Sequence, residues 1–214
     1  MSTSPIALST ITLLPSELSQ KDKYKLLIGC VVPRPIAFVS TVSRAGLPNV
    51  APFSFFNGVS SEPPCLMFSV TYRGSDGQKK DTLRNIEETG EFVVNVVTES
   101  IVAQANQASA EYPADVNEFE ATGLTMVPSQ KIIAPRVAES PINLECELYK
   151  LVPVGPGGAG SATIVIGEIV AYHLREDVYH NGRIDLEALQ PVSRLAGSFY
   201  APVHDAFEIQ RPQL

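Results

Sequence analysis

The sequence predicts an all-β fold, a β-barrel with small peripheral helices, and three observations predict it. Six or more segments carry the β-branched and aromatic pattern of strands. The connections between them are short, and 17 Pro with 14 Gly punctuate the 214 residues, which favours chain reversals over long helices. Only two or three short stretches show helical spacing. Closing such strands on themselves also removes the exposed edges of an open sheet. No internal repeat and no long linker divides the chain, so one domain is expected over residues 1–214, with its core at about 25–200.

The elements follow in order. Residues 1 to about 20 read as a polar arm or an early strand at Ile11–Leu14. Ser19 with Asp22 three residues on has the form of a capping box, placing a short helix through Tyr24–Ile28. Ile36–Val42 is a strand, Arg44–Pro48 a turn, Asn49–Asn57 a returning strand and Leu66–Tyr72 a third. Their connections are too short for parallel crossovers, so an antiparallel meander is expected. Asp81 reads as the N-cap of a helix carrying Leu83 and Ile86, and Thr89-Gly90 ends it. Glu91–Val97 is a buried strand and Ile101–Ala110 an Ala-rich helix, followed by a mixed, Pro-punctuated stretch over 111–138. Pro141–Pro153 and Ala162–Leu174 are long strands joined by a Gly-rich loop. A turn at Asn181-Gly182, a short helix over Ile184–Leu189 and a largely irregular tail complete the chain.

Composition excludes several function classes. The apolar fraction of 44% suffices for a packed core and excludes a disordered chain. A net charge of −7 argues against nucleic acid or an anionic membrane as partner, since both require a basic footprint. Cys30, Cys65 and Cys146 are odd in number, widely spaced and in apolar company. They read as buried reduced thiols, not as a disulfide framework or zinc site. His173, His180 and His204 share no metal-ligating spacing, so no metal is expected. With no Lys or Arg before Lys21 and no apolar run of about 20 residues, neither a secretory signal nor a membrane span is expected, and the location reads as cytoplasmic.

Three motifs invite chemistry. Gly155-Pro-Gly-Gly-Ala-Gly160 matches the form G-x-G-x-x-G, but strand follows it where a dinucleotide fingerprint requires a helix, so it reads as a hairpin loop. Lys79-Lys80-Asp81-Thr82 brings two ammonium groups and a hydroxyl to a helix start, an arrangement that either receives an anion or simply caps and solvates the helix. Asn49–Asn57 places Phe53, Phe55 and Phe56 beside Ser54 and Asn57, which suits either a flat, partly polar ring pocket or a packed core strand. No G-x-S-x-G nucleophile elbow is present.

Taken together, Pro33–Thr41, Asn49–Asn57, Pro63-Pro64, Lys80–Leu83, Gly90–Asn95, Leu144–Cys146, Ile166–Glu168 and Arg194–Gly197 resemble, in order, the flavin reductase-like, FMN-binding split-barrel family over about residues 25–212. The resemblance implies a Greek-key split barrel, a homodimer, and FMN held non-covalently at the dimer interface. Carried over, Ser40 and Thr41 end the strand approaching the flavin; Ser54, Phe55, Phe56 and Asn57 run along the isoalloxazine and ribityl chain; Lys80, Asp81 and Thr82 lie near the phosphate. Arg34 is a second phosphate or pyrimidine partner, and Arg194 and Tyr200 belong to a C-terminal block closing over the site. Ala196 stands where that block carries glycine. The implied activity is an NAD(P)H-dependent flavin reductase, with NADH or NADPH as electron donor and hydride passing from nicotinamide to flavin. The partner that the resemblance implies for such a reductase is a monooxygenase or another electron-acceptor protein. The alternative is an FMN-containing electron-transfer flavoprotein that exchanges electrons with a protein partner.

Overall fold

The computed structural model describes residues 9–213. The first eight residues of the expected arm lie outside the described residues, and residues 9–14, including Ile11–Leu14, carry no regular structure. A one-turn helix (Pro15–Glu17) precedes α1 (Gln20–Cys30), and the expected cap is present: the Asp22 N–H donates to Ser19 Oγ at 3.1 Å. Strands β1 (Ala37–Val42), β2 (Pro48–Phe53), β3 (Phe56–Ser61) and β4 (Pro64–Thr71) follow. Next come α2 (Asp81–Thr89), β5 (Glu91–Val96), α3 (Val102–Gln107) and α4 (Glu118–Thr122), then the short pair β6 (Met126–Val127) and β7 (Arg136–Val137). The long hairpin β8 (Ile142–Val154) and β9 (Ala162–Leu174) leads to β10 (Tyr179–His180), β11 (Arg183–Ile184), α5 (Leu186–Leu189), β12 (Val192–Arg194) and β13 (Tyr200–Pro202).

The protein is mostly β, with a seven-stranded antiparallel sheet in the order β2-β1-β5-β8-β9-β4-β3. Side-chain alternation sorts its faces. Ala37 and Val39 of β1 join Phe53, Leu66, Phe68, Phe92, Val94 and Val165 in the main core, whereas Phe38 turns to a second cluster beneath α3 and α4. The expected closed barrel is not formed: the sheet coils around the main core but remains open, with β2 and β3 as its end strands. The chain passes from one to the other through Ser54-Phe55 alone, so the two meet at a corner rather than side by side.

That corner corrects two further expectations. Asn49–Asn57 is two strands rather than one, because at Phe55 the backbone leaves the β1 edge and its carbonyl accepts the Ser69 N–H at 2.8 Å. The meander is accordingly broken, since β4 pairs with β3 and β9 but not with β2. The helix expected over Ile101–Ala110 shrinks to α3, and the tail holds the β12–β13 hairpin where irregular chain was expected. The G-x-G-x-x-G stretch is the β8–β9 loop, with strand on both sides as expected. Asn181 and Gly182, at φ 50° and 82°, form the two-residue turn joining β10 and β11.

Buried polar groups on the far face tie the 128–143 segment to the sheet. Asn95 Nδ2 donates to the Phe38 carbonyl at 2.9 Å and to Ser40 Oγ at 3.0 Å, while its Oδ1 accepts the Val137 N–H at 2.9 Å. Glu145, fully buried, accepts the N–H groups of Gln130 and Lys131, both at 2.7 Å, and bonds His173 Nε2. Burial by itself would raise the Glu145 carboxyl; these donors outweigh it and leave it below the usual carboxylate range.

Gly167 in β9 is required by space. A Cβ there would overlap Phe92 Cζ and lie 2.8 Å from Cε1 and 3.3 Å from Cys146 Cβ. We expect Gly167→Ala to cost about 1–3 kcal/mol by overpacking. Urea denaturation checks this, and adding Phe92→Leu should recover part of the loss; full stability of the single variant would show that the Phe92 ring yields freely.

Cys65 and Cys146 are buried free thiols as expected, but Cys30 is exposed, because it closes α1, whose side chains other than Ile28 lie largely open. Burial pushes the Cys146 thiol far up, so it stays protonated and inert.

Candidate functional site

The α2 start builds the site. Helix α2 has nine residues and ends at Gly90 in the left-handed conformation, φ 73°. Its N-cap is Lys80 rather than the expected Asp81, and no side chain caps it. Asp81 is instead the first helical residue, pairing with Arg73 Nη2 at 3.6 Å and with Arg84. The Leu83 and Arg84 N–H groups both reach the Lys80 carbonyl, at 3.1 Å, while the amides of Asp81 and Thr82 have no intrahelical acceptor, as at any helix start.

The two lysines separate. Lys79 Nζ is held by Glu87 at 2.6 Å. Lys80 Nζ lies 5.7 Å from the Phe53 ring centroid, and among the described residues no carboxylate lies within salt-bridge distance. Burial pulls the Lys80 ammonium below the ordinary lysine range, with Glu111 opposing and Arg73 adding to the shift. A small cleft of about 60 Å³ opens beside it, bordered by Arg73, Lys80, Asp81, Asn49, Glu111 and Glu118 among others.

A buried polar chain floors this cleft. Thr82 Oγ1 donates to Asn49 Oδ1 at 2.8 Å, Asn49 Nδ2 donates to Glu118 Oε1 at 2.7 Å, and Asn85 Nδ2 donates to Thr41 Oγ1 at 3.0 Å. The Thr82 hydroxyl proton is therefore committed to Asn49. Thr41 points to this side of β1. Ser40 points to the other, donating to the Pro135 carbonyl, so these two expected neighbours lie on opposite faces.

A second cluster surrounds the β2–β3 corner. Arg34, only 4% exposed, donates from Nη1 to the Ile28 carbonyl at 2.8 Å and to that of Val31, from Nη2 to the Leu195 carbonyl at 3.0 Å, and from Nε to Ser54 Oγ at 3.3 Å. Its guanidinium also lies 5.8 Å from the Phe55 ring centroid. Arg34 thus clamps the α1 end, the corner and the C-terminal hairpin together, with four of its five N–H donors taken by protein oxygens. Phe55 and Phe56 are half-buried at the corner, and Asn57 is exposed, its Oδ1 accepting the Gly58 N–H at 2.8 Å.

Arg194 folds back on its own hairpin. Its guanidinium donates to the Gly197 and Phe199 carbonyls at 2.6 and 3.3 Å and stacks 4.4 Å from the Tyr200 ring centroid. Tyr200 donates to Asn106 Oδ1 at 2.9 Å, joining this hairpin to α3. The left-handed position of the hairpin turn falls on Gly197, φ 57°, so the Ala196 methyl meets no backbone penalty.

Phe53, Ser54 and Phe55 are consecutive and connect the two clusters: Lys80 rests on the first, Arg34 bonds the second and stacks on the third. Sequence reasoning missed Arg73, Glu111 and Glu118, and did not give Asn49 its central place. Glu118 follows Asn117, whose side chain accepts the Phe119 N–H, and that spacing signals only a helix start. Nothing local signals contact with β2. Among the described residues no group of His, Cys, Asp and Glu is arranged to hold a metal, and no helix is long and apolar enough to cross a membrane.

An open antiparallel sheet, with a cleft at the α2 start beside an aromatic corner, defines a mostly-β protein. The chain matches the flavin reductase like domain over residues 28–186, and it belongs to that family. It is 48% identical over 201 residues to an uncharacterised protein of Halalkalibacterium halodurans, covering 94% of this chain and 96% of that one. Among solved structures it is similar to nitrilotriacetate monooxygenase component B from Bacillus cereus, with a TM-score of 0.90 and 41% identity, covering 95% of this chain and 100% of that one. It is also similar to the 2-nitrobenzoate 2-nitroreductase of Pseudomonas fluorescens, with a TM-score of 0.84 and 35% identity, over 94% and 96% of the two chains.

Proposed function

We propose that this protein is an FMN-binding oxidoreductase, a flavin reductase taking electrons from NADH or NADPH, built as a single split-barrel domain that works as a homodimer. One observation carries the reading. Lys80 presents an ammonium group at the start of α2, half-buried against Phe53 and without a carboxylate in salt-bridge distance among the described residues. A cation kept this way at uncapped helix amides is suited to a phosphate.

In this reading Lys80 and the Asp81 and Thr82 amides hold the FMN phosphate, and Arg73 adds positive charge. Ser54, Phe55, Phe56 and Asn57 carry the ring and ribityl chain at the corner. Thr41 acts indirectly, holding the Asn49 floor. Arg34 and Ser40 are supports: Arg34 fixes the corner and Ser40 fixes the 128–143 segment behind it. Arg194 and Tyr200 set the hairpin that borders the corner, with Arg194 near enough to Arg34 for their backbones to bond at 2.8 and 3.0 Å. When bound, FMN supplies the hydride acceptor, so the protein needs no nucleophile of its own.

The dimer is supported by what one protomer leaves open. Five of the six residues of β3 are exposed at the sheet end, and α1 exposes Tyr24, Leu26 and Leu27 at 54%, 40% and 50%. A second copy covering these would wall the corner where Asn57 now meets solvent. Three free cysteines suit a reducing, cytoplasmic compartment. The similarity to a monooxygenase component B supports a monooxygenase as the downstream partner.

The test is the absorption spectrum of the purified protein during anaerobic stopped-flow mixing with NADH and with NADPH, paired with sedimentation. A flavin band that bleaches with one nicotinamide, on a dimer, is expected. Bound flavin that bleaches only with a reduced protein partner would favour the electron-transfer alternative, and a monomer holding flavin would overturn the dimer.

A further inference from the structure

The cleft beside Lys80 contains a carboxylate that its expected ligand would oppose. Glu118, 8% exposed, sits at the start of α4 with Oε1 on Asn49 Nδ2 at 2.7 Å and Oε2 on the Val50 N–H at 3.4 Å. Both partners are neutral, and among the described residues Glu118 has no ion pair. Its neighbours differ. Asp81 is paired with Arg73 and Arg84, and Glu111 is exposed to water.

The charges bordering the cleft are Arg73 and Lys80 against Asp81, Glu111 and Glu118. A flavin phosphate brings about −1.5 to −2 more. With negative charge already in excess, its entry favours neutralising one carboxylate. The group whose charge is least compensated is the buried, unpaired one.

Resting on the reading of this cleft as the phosphate site, we propose that Glu118 is a positioning residue whose protonation is coupled to phosphate binding: one solvent proton is taken up on Oε2 as the ligand enters. Oε1 keeps the Asn49 amide, so the Asn49–Thr82 floor stays in place while the charge is removed. Burial already raises the Glu118 carboxyl, and Asp81 adds to this, against hydrogen bonds from its own backbone, Val50 and Asn49. The other titratable and charged groups facing this region are Arg84 and Glu88 on α2, Lys80 and Arg73 before it, Glu111 after α3, and Asp115 and Glu120 beside Glu118 itself. Among these carboxylates only Glu118 is both buried and without a cation.

Linkage makes this measurable. Between the Glu118 pKa of the free protein and that of the complex, the FMN dissociation constant should rise with pH by up to about tenfold per unit. Calorimetry of FMN binding in buffers of different ionisation enthalpy should show proton uptake in wild type that is lost in Glu118→Gln, with FMN affinity at high pH restored or improved in the variant. Riboflavin should show no such uptake in either protein. Infrared difference spectra of the wild-type complex against free protein should gain a protonated-carboxyl band, a readout that does not depend on the variant folding. Equal proton uptake in both proteins, or no new carboxyl band in wild type, overturns the proposal while leaving the phosphate site intact. FMN binding no tighter than riboflavin removes the phosphate site, and this proposal with it.

Discussion

Lys80→Ala is expected to weaken FMN binding by about 1.5–3 kcal/mol, roughly tenfold to a hundredfold, while leaving riboflavin affinity unchanged. The size follows from the setting. Lys80 is half-buried over Phe53, so a phosphate would meet its ammonium through less water than at an open surface. Lys79, one residue earlier, is engaged by Glu87 and cannot replace it without breaking that pair. The two substitutions therefore separate: Lys79→Ala should change FMN affinity little. Because burial lowers the Lys80 pKa, wild-type affinity should also fall as pH rises through that lowered value, and Lys80→Arg should remove this alkaline loss. Fluorescence titration with FMN and riboflavin across pH checks all of these. An FMN affinity unchanged in Lys80→Ala would move the phosphate elsewhere in the fold.

The largest expected stability effect lies on the far face. Glu145→Ala should cost about 3–5 kcal/mol, because it leaves the Gln130 and Lys131 amides and the His173 ring without their shared acceptor. Glu145→Gln should cost less, since an amide oxygen still accepts but carries no charge. The pH dependence has a definite sign. The folded-state carboxyl lies below its ordinary value, so its contribution is fully present above the unfolded pKa of about 4.3 and is lost as pH falls through the folded value. The gap between wild type and Glu145→Gln should therefore be wide at neutral pH and narrow in acid. Urea denaturation at several pH values measures it; a gap independent of pH would show that the ionised form contributes nothing.

Much of the sheet was legible because strand pattern is local. β1, β4, β5, β8 and β9 fall within a few residues of the segments marked by Ile36–Val42, Leu66–Tyr72, Glu91–Val97, Pro141–Pro153 and Ala162–Leu174. The Ser19 cap, the Gly90 stop and the Asn181-Gly182 turn were legible for the same reason, since each depends on backbone preferences within four residues. The break at Ser54-Phe55 was not. Phe and Ser alternate there as in a continuous strand, and the bend is set by partners distant in sequence, Ser69 and Arg34.

The candidate site divides along the same line. By itself the sequence determined that this is a mostly-β chain, that a lysine pair opens a helix after a Gly-containing loop, and that its ordered blocks place it with the flavin reductases. Local pattern did not determine which lysine is available, that the Thr82 hydroxyl is spent on Asn49, that Arg34 is a clamp, or that Glu118 closes the cleft floor. Those were decided by contacts spanning 33 residues for Thr82–Asn49, 69 for Glu118–Asn49 and 161 for Arg34–Leu195. Hydrogen-bond capacity belongs to the residue type and can be read from sequence. Which partner satisfies it depends on burial and on strand order, and these exist only once the sheet has coiled around its core.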